Sequence, residues 1–270
     1  MKIGVFDSGY GGLTILDKIR GLMPEYDYIY LGDNARTPYG TRSYEVVYQY
    51  TWEAVKFLLE KDCQIIILAC NTASAKALRS IQQYKLNTEY PNRRVLGVIR
   101  PTVEAIDAIT RTRHIGLVAT PGTVLSNSYP LEVAKQSPDV VVYSQACPMW
   151  VPLIENGEHN TVGADFFVQR DIKALLSQDE IIDTLILGCT HYPLLIDKIK
   201  SAVPDDIQVI MQGEIVAESF KDYLARHPEF ESLCTKGGTI EFLTTEHPDK
   251  FQSSASTFLN QQVKASYVKL

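Results

Sequence analysis

An α/β fold with largely parallel sheets, divided into two related halves, is predicted from three features of the sequence. Short apolar runs rich in Val, Ile and Tyr alternate with longer segments of helical period, the pattern of strands that return through helical crossovers. The chain has 270 residues, more than a typical single core of about 100 to 150 residues. Two distant stretches, "QIIILACNTAS" from Gln64 and "TLILGCTHYPLL" from Thr184, share one plan: apolar strand, Ala or Gly, Cys, a Thr within two positions, and a helix start. Such a repeat suggests two related halves facing each other.

In chain order, strands are expected at 2–6, 27–31, 64–69 and 94–99. Between the second and third, Tyr44, Val47, Tyr48, Val55, Leu58 and Leu59 recur at helical spacing on one stripe, which reads as core and not as a cofactor box. Pro101 follows the fourth strand and could open a second domain, because proline is at home at a helix start. Helix 102–111, strands 114–118 and 139–143, helix 165–176, and strands 183–187 and 207–211 come next. This domain ends near "DIQVI", and helix 214–224 follows. The tail from Gly237 again offers strand, helix and strand, so it is expected to fold. No low-complexity linker marks either boundary.

Composition narrows the function. A formal net charge of -6, with Arg93-Arg94 and Arg111-Thr-Arg113 short and isolated, argues against nucleic acid as the main partner. Five cysteines without a dense spacing pattern fit a reducing compartment better than a disulfide framework. "MKIGVFDSG" carries one Lys and an apolar run too short for a secretory signal, and nothing approaches the roughly 20 apolar residues of a membrane helix. The expectation is a soluble cytoplasmic protein.

The two matched cysteines, Cys70 and Cys189, fall at strand ends, where open α/β sheets collect ligands. A following helix N-terminus supplies N–H groups and partial positive charge, which lower a thiol's pKa from about 8.5 and help hold a carboxylate. Asn71, Thr72 and Thr190 add polar groups. A single free Cys is more often packing than chemistry, but two in matched contexts shift that balance; Cys63, Cys147 and Cys234 lack the context and are assigned to structure. "VFDSGYGG", residues 5 to 12, forms a third strand end, with Asp7 and Ser8 ahead of Gly9, Gly11 and Gly12. Its spacing is neither the dinucleotide fingerprint nor the P-loop, and by itself it reads as a glycine turn with Asp7 capping the next helix. His191 alone reads as a helix-start residue. Cys70, Cys189 and His191 lack a recognisable zinc ligand frame, and no G-x-S-x-G elbow supports a serine hydrolase. Two thiols, each with an acid or imidazole nearby, suit inversion of a stereocentre. One base removes the α-proton from one face, and an acid returns a proton to the other. Without pyridoxal phosphate or a metal, the carbanion needs fixed donors in a closed cleft.

Six stretches, "FDSGYGGLTIL", "DNARTPYGTRS", "ACNTAS", "ATPGT", "PLIENG" and "GCTHYPLL", resemble in sequence and order the glutamate racemase family, cofactor-independent enzymes that supply D-glutamate for peptidoglycan. The resemblance implies that Cys70 acts on the D-enantiomer and Cys189 on the L-enantiomer. Asp7 would support Cys70, His191 would support Cys189, and Glu155 would stand near that second side. Ser8, Tyr39, Gly40, Asn71, Thr72 and Thr190 would hold substrate, with Thr120 and Thr123 as additions from the second domain. It implies two doubly wound α/β domains related by a pseudo-twofold axis, 1–97 plus 211–270 and 98–210, with the active site in the cleft between them. No cofactor or metal is expected, the partner is glutamate, and a homodimer is in keeping with the family. Arg100 stands where members often have Glu, which bears on a local ion pair or hinge contact. Met1 sits one residue before the first strand, so activation by a cell-wall precursor through an N-terminal extension is not expected. Rival readings are aspartate racemase, from which "CNTAS" rather than "CNTAH" points away, a non-catalytic amino-acid-binding module, and more remotely a metal-dependent hydrolase.

Overall fold

The computed structural model describes residues 1–259 and 261–270. Among these described residues ten strands form: β1 (Lys2–Asp7), β2 (Tyr28–Gly32), β3 (Cys63–Leu68), β4 (Arg94–Gly97), β5 (His114–Ala119), β6 (Val141–Ala146), β7 (Thr184–Gly188), β8 (Gln208–Ile210), β9 (Ile240–Thr244) and β10 (Ala265–Tyr267). They divide into a six-stranded sheet of order β10-β9-β2-β1-β3-β4 and a four-stranded sheet of order β6-β5-β7-β8. Every pairing is parallel. Parallel sheets need cover on both faces, which is why their strands read as near-continuous apolar runs. Accordingly β2, β3 and β7 are buried at every residue.

Alternation of side chains divides each sheet between two cores. Along β3, Ile65 and Ile67 join one core, while Ile66 and Leu68 join the opposite one. Along β7, Leu185 and Leu187 face one core and Ile186 the other. The chain passes between the sheets after Gly97 and again after Ile210. Its C-terminal part then returns to the first sheet, where β9 pairs with β2.

All eight expected main strands are present, as are β9, the helix Pro248–Leu259 and β10 in the tail. Tyr44 departs from the expected core stripe. It is 47% exposed at the first position of the helix Tyr44–Glu60, with its hydroxyl 2.7 Å from Ser80 Oγ. The helix expected at 102–111 is Ile99–Ile106. Pro101 therefore sits inside the first turn, where its missing N–H breaks no helical bond. Arg100 is exposed and pairs with Glu104 one turn on, at 2.8 Å. Among the described residues, no helix is long and apolar enough to cross a membrane.

Candidate active site

Three parallel strands deliver the chemistry-bearing residues at their carboxyl ends: β1 ends on Asp7, β3 leads into Cys70, and β7 leads into Cys189. Cys70 caps the helix Asn71–Lys76, where its extended backbone lets Sγ accept the Ala73 N–H at 3.4 Å. Ser8 Oγ lies 3.3 Å from the same sulfur. The Cys189 sulfur lies 3.8 Å from His191 Nδ1, and the other ring nitrogen, Nε2, meets Glu155 Oε1 at 3.0 Å. Thr37 Oγ1 donates to that carboxylate oxygen from the first half, at 3.3 Å.

Both thiols line one cavity. Ser8, Tyr39, Gly40, Asn71, Thr72, Thr120, Thr190 and His191 line it as well. Three of the expected residues stand behind the wall and act on those that form it. Asp7 accepts from Gly9 N at 2.8 Å and from Thr190 Oγ1 at 3.2 Å. Among the described residues it makes no hydrogen bond to Cys70. Glu155 holds His191, and Thr123 joins Thr72 and Thr120 in a hydroxyl cluster with separations of 2.9 to 3.3 Å.

The glycines before the first helix bring backbone against the opposite half. A Cβ on Gly11 would collide with His191 Nδ1 and Thr190 Oγ1, so the close approach expected toward a ligand is made here toward the Cys189 segment. Gly40 has a similar role on the other rim. Its carbonyl accepts the Gly122 N–H at 2.7 Å, and a Cβ there would lie 2.7 Å from that of Thr120. The neighbouring Tyr39 donates its hydroxyl to Asp33, which also accepts from Arg36 Nε at 2.6 Å.

Burial governs the protonation states. It pushes the Cys70 thiol up to about 12, reinforced by the Asp7 carboxylate and opposed by Ser8 and the Ala73 N–H. That corrects the expectation of a lowered thiol at Cys70, because loss of water on burial outweighs the short helix start. Burial also raises Asp7, although nearby His191 and the bonds from Gly9 and Thr190 lower it. For His191 burial acts downward, but the bonds to Cys189 and Glu155 win and hold its proton well above the usual imidazole range. An imidazolium between a sulfur and a carboxylate follows, next to a cleft whose other sulfur keeps its proton.

Thr37, Pro38, Thr41, Pro121, Cys147, Pro148, Val151 and Pro152 complete the wall and were not expected from the sequence. Cys147, assigned to structure, is buried there. Thr37, Pro38, Thr41 and Pro148 lie in loops and turns, and Pro121, Val151 and Pro152 in helices of five and six residues, none long enough to carry a periodic signal. Among the described residues no group of three or more His, Cys, Asp or Glu side chains is arranged to hold a metal ion.

Residues 14–219 match the family described as Asp/Glu/Hydantoin racemase. The glutamate racemase of Dinoroseobacter shibae is 39% identical over 274 residues, covering 98% of this chain and 97% of that protein. A crystal structure of a glutamate racemase isoform from Bacillus anthracis superposes with a TM-score of 0.90 at 34% identity, covering 100% of this chain and 97% of that one. The Francisella tularensis glutamate racemase, solved in complex with D-glutamate, gives a TM-score of 0.87 at 34% identity, with coverage of 99% and 97%.

Proposed function

The chain belongs to the Asp/Glu/Hydantoin racemase family, and on that premise we propose that it is an isomerase interconverting L-glutamate and D-glutamate by α-proton transfer between two thiols. The observation that carries this reading is the pair Cys70 and Cys189, both buried and one from each sheet's strand ends, lining the same cavity. Relatives that are glutamate racemases over the full length favour glutamate over aspartate.

In the proposed cycle from L-glutamate, Cys189 takes the α-proton with His191 as the neighbouring cation. Cys70, held protonated by burial, gives its proton to the opposite face; from D-glutamate the roles exchange. Glu155 keeps the His191 ring oriented and charged. The substrate ammonium adds positive charge beside Cys70 and Asp7, which eases formation of the Cys70 thiolate in the reverse direction. Ser8, Asn71, Thr72, Thr120, Thr190 and the Tyr39-Gly40 loop supply donors to the carboxylates, and exclusion of water strengthens each contact. The domains we propose are 1–97 with 211–270, and 98–210; the membership of the two sheets supports this division. The proposed role is supply of D-glutamate for peptidoglycan, a cytoplasmic task.

The test is the rate at which the circular dichroism of L-glutamate and of L-aspartate decays, with chelator present and no pyridoxal phosphate added. Decay for glutamate well ahead of aspartate is the expected result. Faster decay for aspartate would favour the aspartate racemases of the same family, and binding of glutamate with no decay would favour a binding module.

A further inference from the structure

Where the chain re-enters the first half, Gln212 forms the first residue of the helix Gln212–Arg226 and is only 3% exposed. A glutamine at the head of an amphipathic helix normally faces water. This one joins a closed ring of hydrogen bonds with Asn71 from the first half and Tyr129 from the second. Asn71 Nδ2 donates to Gln212 Oε1 at 2.6 Å, Gln212 Nε2 donates to the Tyr129 hydroxyl at 2.8 Å, and that hydroxyl donates to Asn71 Oδ1 at 2.7 Å. Thr102 fixes the direction of the ring. Its hydroxyl donates to Val98 O at 2.8 Å, so toward Gln212 it acts as an acceptor, and Gln212 Nε2 donates to it at 2.7 Å. The glutamine amide is thereby oriented, and the asparagine amide with it.

One consequence concerns the cleft. With Oδ1 accepting from Tyr129 and one Nδ2 hydrogen given to Gln212, Asn71 keeps one N–H, and Asn71 lines the cavity beside Cys70. We propose that Gln212 and Tyr129 are positioning residues that fix the Asn71 amide so that it offers the cleft a donor, suited to a substrate carboxylate, and that they do so only when the two halves are seated together. The proposal rests on the reading of the cleft as a glutamate site. Neither residue touches the reacting atoms; both act through Asn71.

The experiment compares wild type, Tyr129→Phe, Asn71→Ala and the double variant in glutamate racemisation, with D-glutamate affinity measured by titration calorimetry. Loss of an oriented donor to a carboxylate predicts that Tyr129→Phe raises KM and the D-glutamate Kd about tenfold, with kcat changed by no more than about threefold. On the Asn71→Ala background the same substitution has no further effect on either constant, because the residue it positions is gone. Wild-type KM and Kd in Tyr129→Phe, or a loss that multiplies with that of Asn71→Ala, overturns the proposal. Gln212→Met, which keeps the length and removes the amide, gives a second reading of the same contrast if Tyr129→Phe does not fold. A wild-type protein that binds D-glutamate without racemising it would instead overturn the proposed activity, and the calorimetric contrast would still decide the role of the ring.

Discussion

At the scale of single residues, the two sulfurs occupy different environments, and each difference has a measurable consequence. Cys70 has a hydroxyl and a backbone N–H beside it, whereas Cys189 has an imidazole backed by a carboxylate. Removing either sulfur removes one of the two proton carriers, so Cys70→Ala and Cys189→Ala each lower kcat for racemisation by about a thousandfold or more. Both variants keep their fold, since all five cysteines are free; a far-ultraviolet spectrum unlike that of wild type would contradict this. His191→Asn removes the cation next to Cys189. Because the equilibrium constant of a racemisation is one, kcat/KM must fall equally from both enantiomers. The asymmetry therefore appears in kcat, which falls further from L-glutamate than from D-glutamate, with KM compensating. Equal losses of kcat in the two directions would argue against pairing His191 with Cys189.

At the scale of elements, the site is held by strand ends whose other ends are also anchored. Asp183, immediately before β7, accepts from the Thr110 hydroxyl at 2.7 Å and from the backbone N–H groups of Arg111 and Thr112 at 2.6 and 2.8 Å. Burial alone would raise this carboxyl, but these bonds, with one from Thr184, hold it down to about 2. A depressed carboxyl stabilises the fold above its ordinary pKa, and that contribution is lost as pH falls through the depressed value. Asp183→Ala leaves two buried hydroxyls and two partly buried N–H groups without this partner and is expected to cost on the order of 3 kcal/mol at neutral pH. The gap in melting temperature between wild type and variant should be constant above about pH 5 and shrink as pH falls toward 2. A gap that persists unchanged to the lowest pH would mean that packing, and not charge, carries the effect. Gly11 makes a second prediction at this scale. A methyl group there drives the first helix away from His191 and Thr190, so Gly11→Ala should reduce kcat far more than it reduces thermal stability, and a variant with wild-type kcat would contradict the close seating of these segments.

At the scale of the whole molecule, the strands were legible because parallel strands covered on both faces must be apolar throughout, as β3 and β7 are. The short helices Pro121–Leu125, Ser128–Gln136 and Trp150–Glu155 were not, since each is too short for periodicity to separate it from a loop. Cys70 and Cys189 stood out through the repeat that carries them, whereas Asp7 and His191, which alone read as a cap and a helix-start residue, entered the expected site through the resemblance to the family. Gln212 and Tyr129 were not: their significance lies in contacts across 58 and 83 residues of sequence, within a closed arrangement that local pattern does not encode. Nor could local pattern anticipate the Cys70 thiol, whose state is set by its depth of burial in the folded chain.

Proton transfer between two opposed thiols is the central claim, and isotope exchange tests it most directly. Racemisation of L-glutamate is run in deuterated buffer with chelator present, and the α-positions of both enantiomers are followed by NMR over the first few per cent of conversion. Transfer through two carriers on opposite faces predicts D-glutamate fully deuterated at the α-carbon while the remaining L-glutamate still holds protium. D-glutamate that retains a substantial share of the original proton would mean that one group serves both faces, and would contradict the assignment of Cys70 and Cys189 as an opposed pair.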